Sequence, residues 1–419
     1  MIGLDFKSIN ELKVFKSQIY VGLLKRTAQG VDLIFDSEFF KLYQNQFLTY
    51  KIKIASPVLN YGGYNLPPFF AGLLPEGLRL KALVTELKTS EDDLFSMLAA
   101  IGDKVIGDIF IHSGQKDLST FEIFDSAQVN FYEVFLKSIR GLSELSTSDS
   151  FAGVQEKLSA SMLSFPLRIA NKNKSYILKL NPKEKTNLTH NEHYTLQLAK
   201  KCGLSVNPSK LVFDKDNNAG LLVERFDRSM TDVSGAGSFS NNTDEIKGLE
   251  IKIHQEDACQ FLDRYPADKY RLSIQDICDG LKLISTAPVI EILNLTKLYL
   301  FNYLVGNGDF HAKNISLQTQ PKISKVLLTP SYDLICTLIY GDQTMALKLD
   351  GRDSNFKRKY FIDFAERNGI PSGLMNREID KILNAFSKHH AILLQIPDLS
   401  EKQKNHILKS AQEKLKAMA

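Results

Sequence analysis

The sequence lacks the features that would assign it at once to a membrane, secreted or zinc-ribbon protein. No run of about 18 apolar residues occurs among its 419 residues, so nothing in it predicts a membrane span. Its four cysteines are scattered without a C-x-x-C pair, which argues against a zinc ribbon or a disulfide framework and fits a reducing compartment. The apolar run at the start is too short for a signal peptide, and Asp5 interrupts it. We therefore expect a soluble cytoplasmic protein.

A strong charge imbalance is also absent. The chain has 52 Lys and Arg against 48 Asp and Glu, and its net charge of +4 is spread without a polybasic arm. This balance alone is too weak to indicate nucleic-acid binding. Apolar residues make up 43% and charged residues 24%, which is ordinary for a globular protein. The length exceeds the size at which one core stops growing, so we expect two or three substructures.

The first expected domain, residues 1–112, is rich in β-strand. The segments QIYVGLL, VDLIFD and FLTYKIKI alternate or cluster their apolar residues as strands do. A helix is expected after the proline pair of NLPPFF, with Pro75 in its first turn. A second helix is expected after Ser90, which has Asp93 three residues on as in a capping box, and Gly102 marks its end.

A second β-rich domain is expected over residues 113–226 and a mainly helical one over 227–419. In the second domain, KSYILKL alternates like a strand, THNEHYTLQLAKKCGL has a helical pattern, and AGLLVERF indicates a buried strand. The third domain begins with a loop rich in Ser, Gly and Asn (229–248). Two short strands, Ile315–Gln318 and Lys325–Thr329, interrupt its helices. The predicted fold class is α+β.

One loop of the third domain gathers polar side chains directly after a buried helix. The segment PVIEILNLTKLYLFNYLVGN begins with proline and is apolar on most sides in its second half, which predicts a helix buried all round. The loop after it, GDFHAKN, contains Asp309, Lys313 and Asn314, and Asp333 follows two short strands later. Protein kinases have the same order of helix, loop, hairpin and aspartate in their catalytic segment.

These residue types suit phosphoryl transfer. Asp309 would position the attacking hydroxyl and take its proton, and Lys313 would neutralise charge in the transition state. Asn314 and Asp333 would supply the oxygen atoms that hold Mg²⁺ against the phosphates of ATP. The lysine lies four residues after the aspartate, whereas protein kinases usually have it two residues after.

The upstream part of a kinase site is present only in part. Lys179, in the strand YILKL, suits the phosphates of ATP, and Glu192 on the next helix suits the glutamate that holds such a lysine. The segment LLVERFDR would be the hinge, where the backbone of Glu224 and Phe226 would face adenine. A G-x-G-x-x-G loop is missing, and SFAGVQEKLS stands in its place with a single glycine and with Lys157 to supply charge.

Seven motifs in this order resemble the HipA-like toxin serine/threonine kinases of bacterial toxin–antitoxin systems. They are PFFAGLLPEG, AGVQEKL, NEH, VERFDR, HQED, GDFHAKN and SYD, and the resemblance runs from about Val21 to the last helices. It implies a two-lobed protein-kinase-like fold with an additional N-terminal β-rich subdomain and a mainly helical C-terminal lobe. It also implies an enzyme that uses ATP and Mg²⁺.

The resemblance further implies regulation and partners. Ser150 would match a loop serine that such kinases autophosphorylate, which ejects the loop and switches the enzyme off. The partner would be a small helix-turn-helix antitoxin that represses the operon, so contact with DNA would be indirect, and protein substrates in the family include aminoacyl-tRNA synthetases. The expected ATP-binding residues are Ala152, Gly153, Val154, Gln155, Lys157, Lys179, Glu224, Arg225, Phe226, His311, Asn314 and Asp333.

Simpler roles stay open for the residues of the predicted centre. Asp309 and Asn314 could be loop caps, because Asp and Asn favour turns beside glycine. Asp333 could be a turn residue after a strand. Lys179 could end an exposed strand face, since it alternates with apolar neighbours.

The expected supporting residues, Glu192, His254 and Asp257, have simpler roles too. Glu192 could form a helix-capping box with Thr189. His254 and Asp257 could cap the next helix or support the catalytic loop from behind. His311 could be a structural histidine that bonds the loop backbone rather than a base.

Three functions are compatible with these observations. The first is a serine/threonine-protein kinase that acts as a toxin. The second is a catalytically weak nucleotide-binding co-repressor that acts with its antitoxin on operator DNA. The third is a kinase for a small molecule or lipid. The presence of Lys179, Asp309, Asn314 and Asp333 together argues against an inactive kinase.

Overall fold

The structure is a computed structural model, and it describes most of the chain. The described residues are 6–63, 66–102, 105–113, 122–123, 126–140, 163–169, 174–182, 185, 187–230, 250–320 and 323–419. Most of the predicted loop at 229–248 lies outside them. The expected phosphate-loop residues also lie outside the described residues: Ser150, Ala152, Gly153, Val154, Gln155 and Lys157.

The chain divides into two compact units that interleave along the sequence. The first unit contains Met1–Glu184 and Val212–Glu256, and the second contains Lys185–Leu211 and Asp257–Ala419. The two β-rich domains expected from the sequence correspond to two separate sheets, both assigned mainly to the first unit. The three domain boundaries stay a prediction.

The first sheet is antiparallel and has the order β4-β3-β2-β1-β5. Short helices contact two of its strands, and Phe70 and Phe95 on the short helices of this region are fully buried. The strands and helices of this region are β1 Glu11–Lys16, β2 Ile19–Thr27, β3 Gly30–Phe35, α1 Ser37–Tyr43, β4 Val58–Gly62, α2 Pro68–Gly72, α3 Gly77–Leu87, α4 Leu94–Ile101 and β5 Ile109–His112.

Two predicted helix starts in this region are wrong by a few residues. Helix α3 begins at Gly77, so Pro75 precedes it instead of lying in its first turn. Helix α4 is capped by Asp93, whose side chain accepts a hydrogen bond from the backbone N–H of Ser96 (3.2 Å). Ser90 accepts from the N–H of Asp92 (3.2 Å) in the preceding turn. The predicted end of α4 at Gly102 is confirmed.

The second sheet has the order β6-β7-β8-β10-β9, and it contains the strand predicted around Lys179. Lys179 pairs with Leu221 on one neighbouring strand and with Ser164 on the other. Its side chain is only 8% exposed, so it does not end an exposed strand face. The elements of this part are β6 Glu122–Ile123, α5 Phe131–Arg140, β7 Leu163–Ile169, β8 Ser175–Leu180, β9 Ser209–Phe213, β10 Ala219–Glu224, β11 Arg228–Met230 and β12 Glu250–Lys252.

The second unit is mainly helical, and a hairpin follows the polar loop noted in the sequence. The hairpin pairs β14 with β15 in an antiparallel register. Strand β13 (Gln255–Asp257) marks the passage of the chain from one unit to the other. The remaining elements are α6 Leu188–Lys201, α7 Ala258–Phe261, α8 Ile274–Ile284, α9 Pro288–Val305, β14 Ser316–Gln320, β15 Lys325–Leu328, α10 Arg358–Arg367, α11 Ser372–His389 and α12 Glu401–Met418.

Helix α9 is the buried helix predicted before the polar loop. Pro288 occupies its first turn, and every residue from Leu298 to Val305 is buried. It ends at Gly306, whose φ of +73° favours glycine, and any side chain there would run into Leu338. Within the described ranges, no helix is long and apolar enough to cross a membrane.

Candidate active site

The loop that carries Asp309 is fixed by hydrogen bonds to its own unit. The Asn307 side chain donates to Asn302 Oδ1 (2.7 Å) and accepts from the N–H of Asp309 (3.1 Å). The N–H of Gly308 donates to Thr337 Oγ1 (2.7 Å), and that hydroxyl donates to the carbonyl of Gly306 (2.9 Å). The loop is therefore rigid at its base, while the Asp309 side chain is exposed at its tip.

Asn314 ends the loop in a short 3-10 turn and faces Asp333. Its Oδ1 accepts from the N–H of His311 (3.0 Å), and its Nδ2 lies 3.5 Å from Asp333 Oδ2. Asn314 is 6% exposed, so the amide is fixed by its surroundings. The two side chains predicted to share a metal ion therefore come together in the second unit.

The backbone of Asp333 adopts a left-handed conformation and is held by helix α6. Its φ is +54°, a region that Asp tolerates better than most residues. Its N–H donates to Glu192 Oε1 (3.2 Å), and Glu192 is fully buried. Helix α6 begins at Leu188 with Asn187 as its N-cap, so the alternative of a capping box between Thr189 and Glu192 is wrong.

A second residue of α6, Asn191, holds the same segment and was not predicted as a site residue. Its Nδ2 donates to the carbonyl of Cys336 (3.0 Å), and its Oδ1 accepts from the N–H of Cys336 (2.8 Å). The only sequence signal for it was its place in the NEH motif. Together Asn191 and Glu192 fix the backbone on both sides of the turn that Asp333 begins.

Lys313 is paired with Asp257. Its Nζ lies 3.2 Å from Asp257 Oδ2, and both side chains are nearly buried. The other carboxylate oxygen, Oδ1, accepts from the N–H of Gln260 (3.0 Å) and caps helix α7. Asp257 thus caps the next helix and also pairs with the loop that carries Asp309, while its role in supporting catalysis stays a prediction.

Two tyrosine hydroxyls donate hydrogen bonds to the loop, and neither tyrosine was predicted from the sequence as a site residue. The hydroxyl of Tyr332 donates to the carbonyl of Lys313 (2.8 Å), and burial raises the pKa of Tyr332 well above its usual value, so it stays protonated. The hydroxyl of Tyr270 donates to Asp309 Oδ1 (2.8 Å). The ring of Tyr270 meets the ring of His311 edge-on, with centroids 5.2 Å apart. His311 is buried, as expected of a structural histidine.

The expected hinge residues lie in the first unit, where Arg225 forms a buried ion pair. The guanidinium of Arg225 donates to both carboxylate oxygens of Asp227 (2.9 and 2.6 Å) and to the carbonyl of Val105 (3.1 Å). Burial alone would raise the pKa of Asp227, but the guanidinium groups hold it at about 2. Glu224 pairs with Lys174 at 2.7 Å, and Phe226 follows the end of β10.

His254 also lies in the first unit, in a buried cluster of charges. Its Nδ1 is 2.7 Å from Asp108 Oδ1, and its Nε2 is 2.9 Å from Glu256 Oε1. Lys16 Nζ is 3.3 Å from Asp108 Oδ2. Ionised carboxylates only accept hydrogen bonds, so a ring that donates from both nitrogens is positively charged. Among the described residues, the hydrogen-bond partners of His254 belong to this cluster and do not include a helix N-terminus.

Asn314 and Asp333 are of the residue types that bind Mg²⁺ in proteins. Among the described residues, no group of three His, Cys, Asp or Glu side chains is arranged to hold a metal ion. Asn314 instead supplies an amide and Asp333 a carboxylate, with Asn314 Nδ2 3.5 Å from Asp333 Oδ2. Mg²⁺ takes one or two protein ligands of these types and completes its shell with water and phosphate oxygens.

Comparisons with known proteins show which family the chain resembles along most of its length. A family model described as the HipA-like C-terminal domain matches residues 149–390, and one for the HipA N-terminal domain matches residues 12–112. The serine/threonine-protein kinase toxin HipA of Shewanella oneidensis is 28% identical over 373 residues, covering 81% of this chain and 80% of that protein.

A solved structure extends the likeness to the fold. It is the complex of Shewanella oneidensis HipA with HipB and operator DNA. The match to one chain of that complex covers 97% of the present chain and 96% of the matched chain. The TM-score is 0.63 and the identity 21%, which shows a shared mixed α+β, kinase-like fold. Because the C-terminal-domain match alone spans more than half of the sequence, this chain belongs to the HipA-like family.

Proposed function

We propose that this protein is a serine/threonine-protein kinase that transfers the γ-phosphate of ATP to a protein and thereby acts as a toxin. The observation that carries the proposal is the catalytic loop of the second unit. It carries Asp309, which is exposed, and Asn314. The amide of Asn314 faces the carboxylate of Asp333, with 3.5 Å between Asn314 Nδ2 and Asp333 Oδ2. The set matches the base and the metal ligands that phosphoryl transfer requires.

In this mechanism, each residue has a separate role. The proton of the acceptor hydroxyl goes to Asp309 while its oxygen forms a bond to the γ-phosphorus. The bond from that phosphorus to the β,γ-bridging oxygen breaks, and ADP keeps the electron pair. Mg²⁺, held by Asn314 and Asp333, would neutralise charge on the phosphate oxygens.

The two lysines would supply the remaining positive charge. Lys179 is proposed to bind the phosphates of ATP. Lys313 lies 3.2 Å from Asp257, so its charge is partly compensated and its position is fixed. We assign it to the stabilisation of charge from this fixed position, since preorganised charges need no rearrangement during the reaction.

Regulation and partners are proposed from the family. Ser150 would be the autophosphorylation site, and a small helix-turn-helix antitoxin would neutralise the toxin. An aminoacyl-tRNA synthetase is the first substrate to try. The solved Shewanella oneidensis HipA was determined with HipB and operator DNA, which supports an antitoxin partner for this chain.

Transfer of radiolabelled phosphate from ATP tests the proposal. Wild-type protein should label itself and a synthetase substrate, while Asp309→Asn should lower the rate by about 10³-fold or more, because it removes the proton acceptor. Asp279→Asn, on exposed helix surface, is the matched control and should behave as wild type. Self-labelling should disappear in Ser150→Ala. Equal labelling by wild type and Asp309→Asn would refute the assignment.

The complex with operator DNA also supports a second candidate, a co-repressor that acts with its antitoxin. Expression in cells separates the two functions. Growth inhibition that persists in Asp309→Asn would favour the co-repressor, whereas loss of inhibition in that variant favours the kinase.

A further inference from the structure

The segment before helix α8 brings a tyrosine hydroxyl onto the proposed catalytic base. Tyr270 is half-exposed, and its hydroxyl donates to Asp309 Oδ1 at 2.8 Å across 39 residues of sequence. A hydrogen bond to an ionised acceptor is stronger than one between neutral groups. This contact therefore restrains the orientation of the carboxylate.

Several contacts fix Tyr270 against the catalytic loop. The carbonyl of its neighbour Lys269 accepts from the N–H of Ala312, a residue of the catalytic loop, at 3.1 Å. The Tyr270 ring meets the ring of His311 at an angle of 83°, and Lys269 Nζ lies 5.2 Å from the centroid of the Tyr270 ring. The backbone next to Tyr270 is therefore hydrogen-bonded to the loop that carries Asp309, which fixes the position of the Tyr270 side chain.

Asp309 needs such a support because its side chain is exposed. Its backbone is fixed by Asn307, but that bond leaves the two side-chain torsions unconstrained. In the part of the chain that the structure describes, no Lys, Arg or His forms an ion pair with its carboxylate, and Lys313 is paired with Asp257 instead. Tyr270 is the side chain that the structure places on this carboxylate.

We propose that Tyr270 is a positioning residue for the kinase reaction. Its hydroxyl holds Oδ1 of Asp309, so that Oδ2 is turned towards the acceptor hydroxyl and receives its proton. This inference rests on the proposed kinase function. It assigns Tyr270 no contact with ATP and no proton transfer of its own.

Tyr270→Phe tests the proposal, since it removes the hydroxyl and keeps the ring against His311. We expect kcat to fall roughly 10- to 100-fold, with the KM values for ATP and acceptor within about twofold of wild type, as for an interaction made in the transition state. Tyr360→Phe, a half-buried tyrosine on α10, is the matched control and should keep the wild-type kcat. A wild-type kcat in Tyr270→Phe would overturn the inference and leave the kinase function standing.

A double-mutant cycle tests the contact without relying on activity. The thermal unfolding midpoint is measured for Tyr270→Phe, Asp309→Ala and the double variant. If Tyr270 holds Asp309, the change in the double variant differs from the sum of the two single changes. Strict additivity would overturn the inference. If the wild-type protein transfers no phosphate, the kinase function fails, and the cycle still decides whether Tyr270 orients Asp309.

Discussion

At the residue scale, the most demanding contact of the site is the one between Asn191 and Cys336. Both residues are fully buried, and the amide of Asn191 satisfies the N–H and the carbonyl of Cys336 at once. Buried backbone groups without a partner are costly. This single side chain therefore fixes the backbone at Cys336, three residues after Asp333. Glu192 fixes Asp333 itself.

Asn191→Ala should therefore destabilise the second unit strongly. We expect a loss of about 2–4 kcal/mol in the free energy of unfolding, because two buried backbone groups lose their partners. Urea denaturation measures it, and Asn60→Ala, at an exposed strand position, is the control and should cost less than about 0.5 kcal/mol. A loss as small as that of the control would show that the Cys336 backbone finds other partners.

The residues of the site were not equally predictable from the sequence. Asp309, Asn314 and Asp333 could be picked out because their types and order match a known chemistry. Tyr270 and Asn191 form hydrogen bonds to residues 39 and 145 positions away, and no spacing rule reports such bonds. The structure was needed to find them.

At the element scale, helix starts show where local signals compete. Ser90 and Asp93 are both good N-caps, and the sequence favoured Ser90. The structure uses Asp93, which also pairs with Arg26 on strand β2 at 2.9 Å. This contact, between residues 67 positions apart, favours Asp93 as the cap. Helix α9, in contrast, was predicted correctly because its initial proline, its final glycine and its apolar pattern all indicate the same helix.

Also at this scale, the charge cluster around His254 ties strand β1 to strand β13. Lys16 lies on β1, Glu256 on β13, and Asp108 just before β5. Burial and Lys16 lower the pKa of His254, but the hydrogen bonds to Asp108 and Glu256 outweigh them, so its pKa is raised. A raised folded-state pKa stabilises the protein fully below about pH 6.5, and this contribution is lost as pH rises through the folded-state value.

His254→Gln should remove this pH dependence. We expect the free energy of unfolding of the wild type to decline from pH 6 to pH 9 more than that of the variant, by about 1.4 kcal/mol per unit of pKa shift. Urea denaturation at a series of pH values measures the difference, and since the other titratable groups are common to both proteins, it isolates His254. Parallel curves would contradict the charged state assigned to the imidazole.

At the scale of the whole molecule, sequence order and spatial units differ. Residues 185–211 follow strand β8 of the second sheet and include the first three residues of β9, yet they belong to the second unit together with the loop that carries Asp309. Composition could not reveal this, because the segment is unremarkable in its residue types. The order of motifs did indicate the family, since it needs no knowledge of which segments pack together.

In the proposed site, Asp309 accepts the proton, and Asn314 and Asp333 hold the metal ion. ATP binding measured with and without Mg²⁺ tests this division of roles most directly. By titration calorimetry, wild type and Asp309→Asn should bind ATP equally, and at least tenfold more tightly with Mg²⁺. Asp333→Asn should bind ATP with little gain from Mg²⁺. Full Mg²⁺ enhancement in Asp333→Asn, or no binding of ATP by the wild type, would contradict the account.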